Sequence, residues 1–331
     1  MELTRRAFLE ATLAATGTGY MSAQGNSLPK RPLGKTGLEV SILGMGGYHL
    51  GTVEKQSDAD RLVHQAIDAG INFFDNAWEY HSGRSEDLLG NALKGRRNDV
   101  ILMTKVCSHG RDKKVAMQQL EESLRRLQTD HLDVWQVHEV VYWNDPDKIF
   151  APGGAIEALT EAKQQGKVRF VGFTGHKDPR IHLKMLSHNF AFDTVQMPLN
   201  CFDATFRSFE QQVLPELQRK GIAPLGMKSF GGSGEMLRNG AVTPREALSY
   251  AMSLPVATTI SGMDTPEVLN QNLEIARGFQ ALDKAAMQAL RDRCHAYSGD
   301  GHLELYKMTL KYDGPIGREQ HEFPTEEQLP L

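Results

Sequence analysis

Eight short apolar runs recur along the chain from residue 28 onward, and amphipathic stretches separate them. The runs are 40–46, 71–76, 100–106, 132–138, 168–174, 194–199, 222–228 and 257–262. Each is bounded by Gly, Asn, Asp or Pro, residues that turn a chain. Between them, stretches such as 57–69, 85–93, 114–127 and 207–220 place apolar residues at helical spacing. Strands that alternate with helices pair in parallel, because a parallel neighbour is reached only by a crossover. Eight such units favour a sheet closed on itself, a (β/α)8 TIM barrel, over an open doubly wound sheet. No G-x-G-x-x-G opens the first unit, so a Rossmann domain lacks its main support. The sequence therefore predicts one barrel domain over residues 28–331. Residues 28–39 read as a hairpin capping its base. Residues 283–331 read as a last helix followed by a Gly/Pro-rich tail that folds over the mouth.

Formal net charge is −4 over 331 residues, which gives no electrostatic footprint for nucleic acid. The three cysteines, Cys107, Cys201 and Cys294, form no C-x-x-C pair and read as isolated buried thiols.

Residues 1–27 differ in character. Arg5-Arg6 is followed by Phe8-Leu9 and a mildly apolar stretch to Ala23. This resembles a twin-arginine export signal, which implies the export machinery as a partner and a periplasmic location. Without it, a cytoplasmic location is expected. The stretch is too short and too rich in Gly and Thr to span a membrane.

In a barrel, functional groups gather where strands end. Here the second strand ends in Asp75 and its loop carries Tyr80. The third ends in Lys105 and the fourth in His138. Strand side chains alternate, so Ile71, Phe73 and Asp75 share one face, as do Ile101, Met103 and Lys105, and Val134, Gln136 and His138. Trp135 has the opposite parity and is expected between strand and helix. An inward Asp and an inward Lys are each costly alone, but can pair on neighbouring strands. A phenol of ordinary pKa about 10 is too weak an acid for neutral pH, and a nearby ammonium favours its ionised form. The four residues together make a general acid beside a carbonyl.

These residues sit in motifs. Phe74-Asp75-Asn76-Ala77-Trp78-Glu79-Tyr80, then Gly83-Arg84-Ser85-Glu86 and Leu89-Gly90, with Thr104-Lys105 and Val137-His138, resemble the aldo/keto reductase superfamily from about Arg31 to Arg277. The resemblance implies Tyr80 as general acid, Lys105 as the partner that lowers its pKa, Asp75 as counter-ion and His138 as carbonyl orienter. It also implies an NAD or NADP cofactor and a small carbonyl or alcohol substrate. Gln196 matches the family's carboxamide-binding glutamine. Thr174-Gly175-His176 stands where the family usually has Ser-Asn, and Met227, next to Lys228, stands where many members carry an aromatic ring. Gly47, Ser261, Gly262, Met263 and Asn272 complete the expected cofactor set. Positions of the family's 2′-phosphate clamp hold Gly262, Met263 and Val268, none of them cationic, with Asp264 nearby; discrimination is expected to be weak or to favour NAD(H). Gly231-Gly232-Ser233-Gly234 reads either as a pyrophosphate loop or as a plain connection.

Tyr48, Trp78 and His176 are expected at the substrate. His49, His81, His109, His138 and His176 all fall at or past strand ends, but no H-E-x-x-H or comparable spacing supports a metal, and none is expected. Two other readings stay open beside the oxidoreductase: a nicotinamide-binding regulatory subunit with slow turnover, and a sugar isomerase or lyase that recycles its bound cofactor.

Overall fold

The computed structural model describes residues 27–107, 111–232, 234–238, 240–320 and 324–328. The twin-arginine segment, His109 and Ser233 lie outside the described residues.

Two strands, β1 (Lys30–Pro32) and β2 (Glu39–Ser41), pair antiparallel as a hairpin. Eight more follow: β3 (Leu43–Gly46), β4 (Phe73–Asp75), β5 (Ile101–Val106), β6 (Leu132–Val137), β7 (Val168–Thr174), β8 (Thr194–Pro198), β9 (Ala223–Met227) and β10 (Thr258–Gly262). They pair in parallel in chain order, and β10 pairs with β3, closing the barrel. The expected (β/α)8 fold is thus present, with the hairpin, a helix at Lys284–Ser298 and a tail beyond it.

Two apolar layers hold it. Phe73, Ile101, Met103, Val134, Leu225 and Ile260 fill the interior, and Leu33 and Val40 of the hairpin join the same cluster at its base. The strands' other faces, Trp135 among them, pack against the helices in a larger cluster. Arg31 fastens the hairpin. It donates to Met252 O (2.8 Å) and Val256 O (2.9 Å), carbonyls at and beyond the C-terminal end of helix Pro244–Ser253. That helix starts on a capping box between Thr243 and Glu246.

Four expectations need correction. The 40–46 run is not one strand, because Ile42 separates the hairpin's β2 from the barrel's β3. Ile71 precedes β4 and packs in the outer layer, so it does not share the inward face of Phe73. The 207–220 helix is two pieces, Phe209–Gln212 and Leu214–Lys220, with Pro215 at the start of the second, where it lacks an N–H to continue the first. Cys201 and Cys294 are not isolated: both are free thiols, but they hydrogen-bond to each other.

The tail crosses the barrel mouth and is held by buried polar groups. Lys307 Nζ donates to Asp203 Oδ1 (2.7 Å), Glu304 Oε2 (3.0 Å) and Phe206 O (2.7 Å). Tyr306 donates to Glu304 (2.6 Å) and accepts from Asn200 (3.0 Å). Lys177 pairs with Asp313 at 2.7 Å.

Candidate active site

Asp75 closes β4, and Lys105 lies near the end of β5, one strand away. Their side chains point inward and meet, Nζ to Oδ1 at 2.5 Å. Lys105 also donates to Asn76 O (2.7 Å) and to the Tyr80 hydroxyl (3.3 Å). The ammonium thus has one ion-pair partner and two hydrogen-bond acceptors. The Tyr80 oxygen accepts, so its own proton is left for a further acceptor.

Burial pushes the Asp75 carboxyl up and the Lys105 ammonium down, and each opposes the shift in the other. Tyr80 departs from expectation. Its pKa lies well above the ordinary phenol value, chiefly through burial, then through the charges of Asp75, Glu79 and Glu139. Asp75 offsets part of the Lys105 charge that reaches the phenol, and the phenol is held protonated.

His138 follows β6, its ring edge-on to Tyr80 with centroids 5.5 Å apart. Burial, then the Lys105 charge, drives its pKa well below 6.5, so the imidazole is neutral. Its Nδ1 lies 2.7 Å from Glu79 Oε1, and the other Glu79 oxygen accepts from the Cys107 thiol. The loop after β6 is fixed by Arg111, which is fully buried. It pairs with Asp145 (2.9 Å) and donates to His138 O (2.8 Å) and Glu139 O (2.7 Å). Glu139 accepts from Gly314 N (2.7 Å), which brings the tail onto the site.

Asp75, Tyr80, Lys105 and His138, named from parity and motif, are therefore one group. The substrate residues divide. Tyr48 is half exposed and edge-on to Tyr80, 5.4 Å between centroids, so it borders the approach to the phenol. Trp78 does not line that approach: its Nε1 donates to Glu122 (2.7 Å) and Arg126 stacks on its ring, so it packs on helix Lys113–Leu127. His176 is buried, and its Nδ1 lies 3.1 Å from Tyr306 O of the tail. The described histidines do not converge at one point. His49 and His81 flank Tyr48, whereas His138 and His176 sit on the Glu79–Glu139 side.

The cofactor set is placed as follows. Gln196 on β8 hydrogen-bonds to Asp75, and its Oε1 is buried with no hydrogen-bond partner among the described residues. Asn272 donates to Ser261 (3.1 Å), and its Oδ1 is likewise buried without a partner. Two orphaned acceptors, one on β8 and one on the helix Pro266–Arg277, suit the amide and amine groups of a dinucleotide. Thr174 is buried at the end of β7, and Met227 is half-buried at the end of β9. Lys228 lies against the rings of Tyr306 and Tyr312, under the tail. Met263 is fully buried in the core, which removes it from any contact with a 2′-phosphate at the surface. The glycines serve close packing of the protein itself. A Cβ on Gly47 would come within 2.5 Å of Asp75 O, and one on Gly262 within 2.0 Å of the His49 ring.

Sequence reading missed Glu79, Cys107, Arg111, Glu139 and the tail's buried residues. Cys107 was within reach, since it continues the inward parity of Met103 and Lys105. Arg111, Glu139 and Lys307 gave no local signal, because each has a partner far along the chain: 27 residues for Arg111 and His138, 104 for Lys307 and Asp203, 175 for Glu139 and Gly314.

The model of the Aldo/keto reductase family matches residues 42–246. An uncharacterized oxidoreductase of Bacillus subtilis, YqkF, is 28% identical over 304 residues, covering 79% of this chain and 95% of that protein. L-galactose dehydrogenase of Arabidopsis thaliana is 38% identical over 156 residues, covering 44% of this chain and 48% of that enzyme. Among solved structures, the aldo-keto reductase AKR11C1 of Bacillus halodurans, in its holo form, superposes with a TM-score of 0.70 at 26% identity, covering 84% of this chain and all of that one. With its closed barrel and its Asp75–Lys105–Tyr80–His138 group, the chain belongs to the aldo/keto reductase family and is an NAD(P)-dependent oxidoreductase.

Proposed function

We propose that the protein reduces an aldehyde or ketone, or oxidises the corresponding alcohol, with Tyr80 as the proton donor. The observation that carries this reading is the Lys105–Tyr80 hydrogen bond, in which the phenol oxygen accepts and its proton stays free. A carbonyl oxygen in front of Tyr80 receives that proton while its carbon is reduced. Lys105 then faces the phenolate, and its positive charge offsets the negative one left behind. Asp75 keeps Lys105 in place and charged. Neutral His138 borders the same oxygen and orients it, and Tyr48 forms one wall of the approach.

A dinucleotide held here would supply the hydride. Gln196 Oε1 and Thr174 would hold its carboxamide end, Met227 would pack on its ring, and Ser261 and Asn272 would hold the far end. None of the clamp positions is cationic, which supports use of NAD(H) without exclusion of NADP(H). His176 and the tail close the substrate side. The Arg5-Arg6 segment supports export in the folded state, with the cofactor carried along. The experiment for the central reading is single-turnover oxidation of bound cofactor by a panel of aldehydes and ketones, with Tyr80→Phe beside the wild type.

A further inference from the structure

Three groups of different chemistry meet beside Tyr80, each from a separate segment. Glu79 comes from the loop after β4, Cys107 from the residue after β5, and His138 from the residue after β6. One ligand atom from each, a carboxylate oxygen, Sγ and an imidazole nitrogen, lies within 4.8 Å of the other two. All three side chains are nearly or fully buried.

Ordinary hydrogen bonding does not account for the whole cluster. His138 is 6% exposed, and among the described residues its Nδ1 has no hydrogen-bond partner despite lying 2.7 Å from Glu79 Oε1. The two atoms are close without the alignment that a shared proton requires. Among the described residues the nearest cations, Lys105 and Arg111, are paired with Asp75 and Asp145 and act on Glu79 only through space. A buried carboxylate and an imidazole nitrogen facing each other without an aligned proton are stabilised by a positive charge between them. Oxygen, nitrogen and sulfur together are the donor set of a borderline-soft divalent ion.

We propose that Glu79, Cys107 and His138 bind one divalent cation of the zinc class, through a carboxylate oxygen, a thiolate and Nδ1, with a fourth position open. Ligand distances of about 2.0–2.3 Å place neighbouring ligand atoms about 3.3–3.7 Å apart on a tetrahedron. The three ligand atoms lie within 4.8 Å of one another, and both contacts to Glu79 are at hydrogen-bond distance, so both must lengthen as the ion enters. The thiol proton leaves as the ion binds. With Nδ1 on the metal, the proton of neutral His138 must sit on Nε2. That makes the histidine a hydrogen-bond donor toward a carbonyl. No sequence motif announces such a site, because its ligands are 28 and 31 residues apart on three strand ends.

The test reads binding and does not depend on turnover, so it stands or falls apart from the carbonyl reading. The full chain is stripped with a chelator and titrated with Zn²⁺ against a chromophoric chelator, then separately with Co²⁺. Expected are one equivalent of tightly bound metal and a thiolate-to-cobalt charge-transfer band. Cys107→Ser should abolish the band, and Cys107→Ser and Glu79→Gln should each weaken Zn²⁺ by at least about tenfold. A double Cys201→Ser, Cys294→Ser variant should keep the band. The band in the wild type and in this double variant decides the matter even if substitutions in the cluster unfold the chain. Absence of one bound equivalent, absence of the band, or wild-type affinity in both cluster variants would overturn the proposal.

Discussion

The Lys105 ammonium lies 2.5 Å from Asp75 and 3.3 Å from the Tyr80 hydroxyl, so the lysine is bound first to its counter-ion and only second to the phenol. Burial first, and the Asp75 charge next, hold Tyr80 protonated although a buried cation stands beside it. Removal of Lys105 should therefore leave the acid present but raise the barrier to losing its proton. Lys105→Met should lower kcat for carbonyl reduction by about 10²- to 10⁴-fold, with dinucleotide affinity changed far less. Steady-state rates and fluorescence titration of the cofactor measure the two. A kcat close to that of the wild type would count against the arrangement.

The tail depends on Lys307, which is fully buried between Asp203 and Glu304. Lys307→Met leaves two carboxylates buried without their cation, a change that typically costs about 3–5 kcal/mol. Urea unfolding should show that loss, and brief proteolysis should cut the chain first beyond residue 298. An unchanged midpoint with an uncut tail would show that the tail is held by other contacts.

His182 sets an acid limit. It is fully buried, edge-on to Phe209 and tilted against Phe173, and burial lowers its pKa from 6.5 to about 3. Protons bind the unfolded form more readily, so this group's contribution is complete above pH 6.5 and is lost as pH falls from 6.5 toward 3. Its full size is on the order of 5 kcal/mol. His182→Phe should flatten the fall of the unfolding midpoint across that window. An equal slope in both proteins would place the acid sensitivity elsewhere.

Strand order, the hairpin and the four central residues were legible in the sequence because they follow local rules. Alternation put Lys105 and Met103 on one face, and Arg-free clamp positions were readable by inspection. Trp78 was misread for a physical reason: its position in a strand-end loop does not fix its direction, and Glu122 and Arg126 on the outer helix draw it away. The raised pKa of Tyr80 was equally hidden. It arises chiefly from burial, then from the charges of Asp75, Glu79 and Glu139, and that burial exists only once the barrel closes.

Cofactor choice follows from what surrounds the helix Pro266–Arg277. Met263 is buried and Gly262 lies under His49, so neither offers a charge to a 2′-phosphate. Equilibrium titration should give NADH an affinity within about tenfold of NADPH or tighter, since a phosphate without a cation gains little. An NADPH preference of a hundredfold or more would mean a clamp from residues not yet identified.

The most direct measurement is a single turnover. Protein loaded with one equivalent of reduced nicotinamide is mixed with a panel of aldehydes and ketones, and the loss of cofactor absorbance is followed in wild type and Tyr80→Phe. The expected result is stoichiometric, lasting oxidation by at least one carbonyl in the wild type, slowed by about 10²-fold or more in the variant. Equal rates in the two proteins, absorbance that returns to its starting value, or no oxidation by any carbonyl would contradict Tyr80 as the proton donor of a carbonyl reductase.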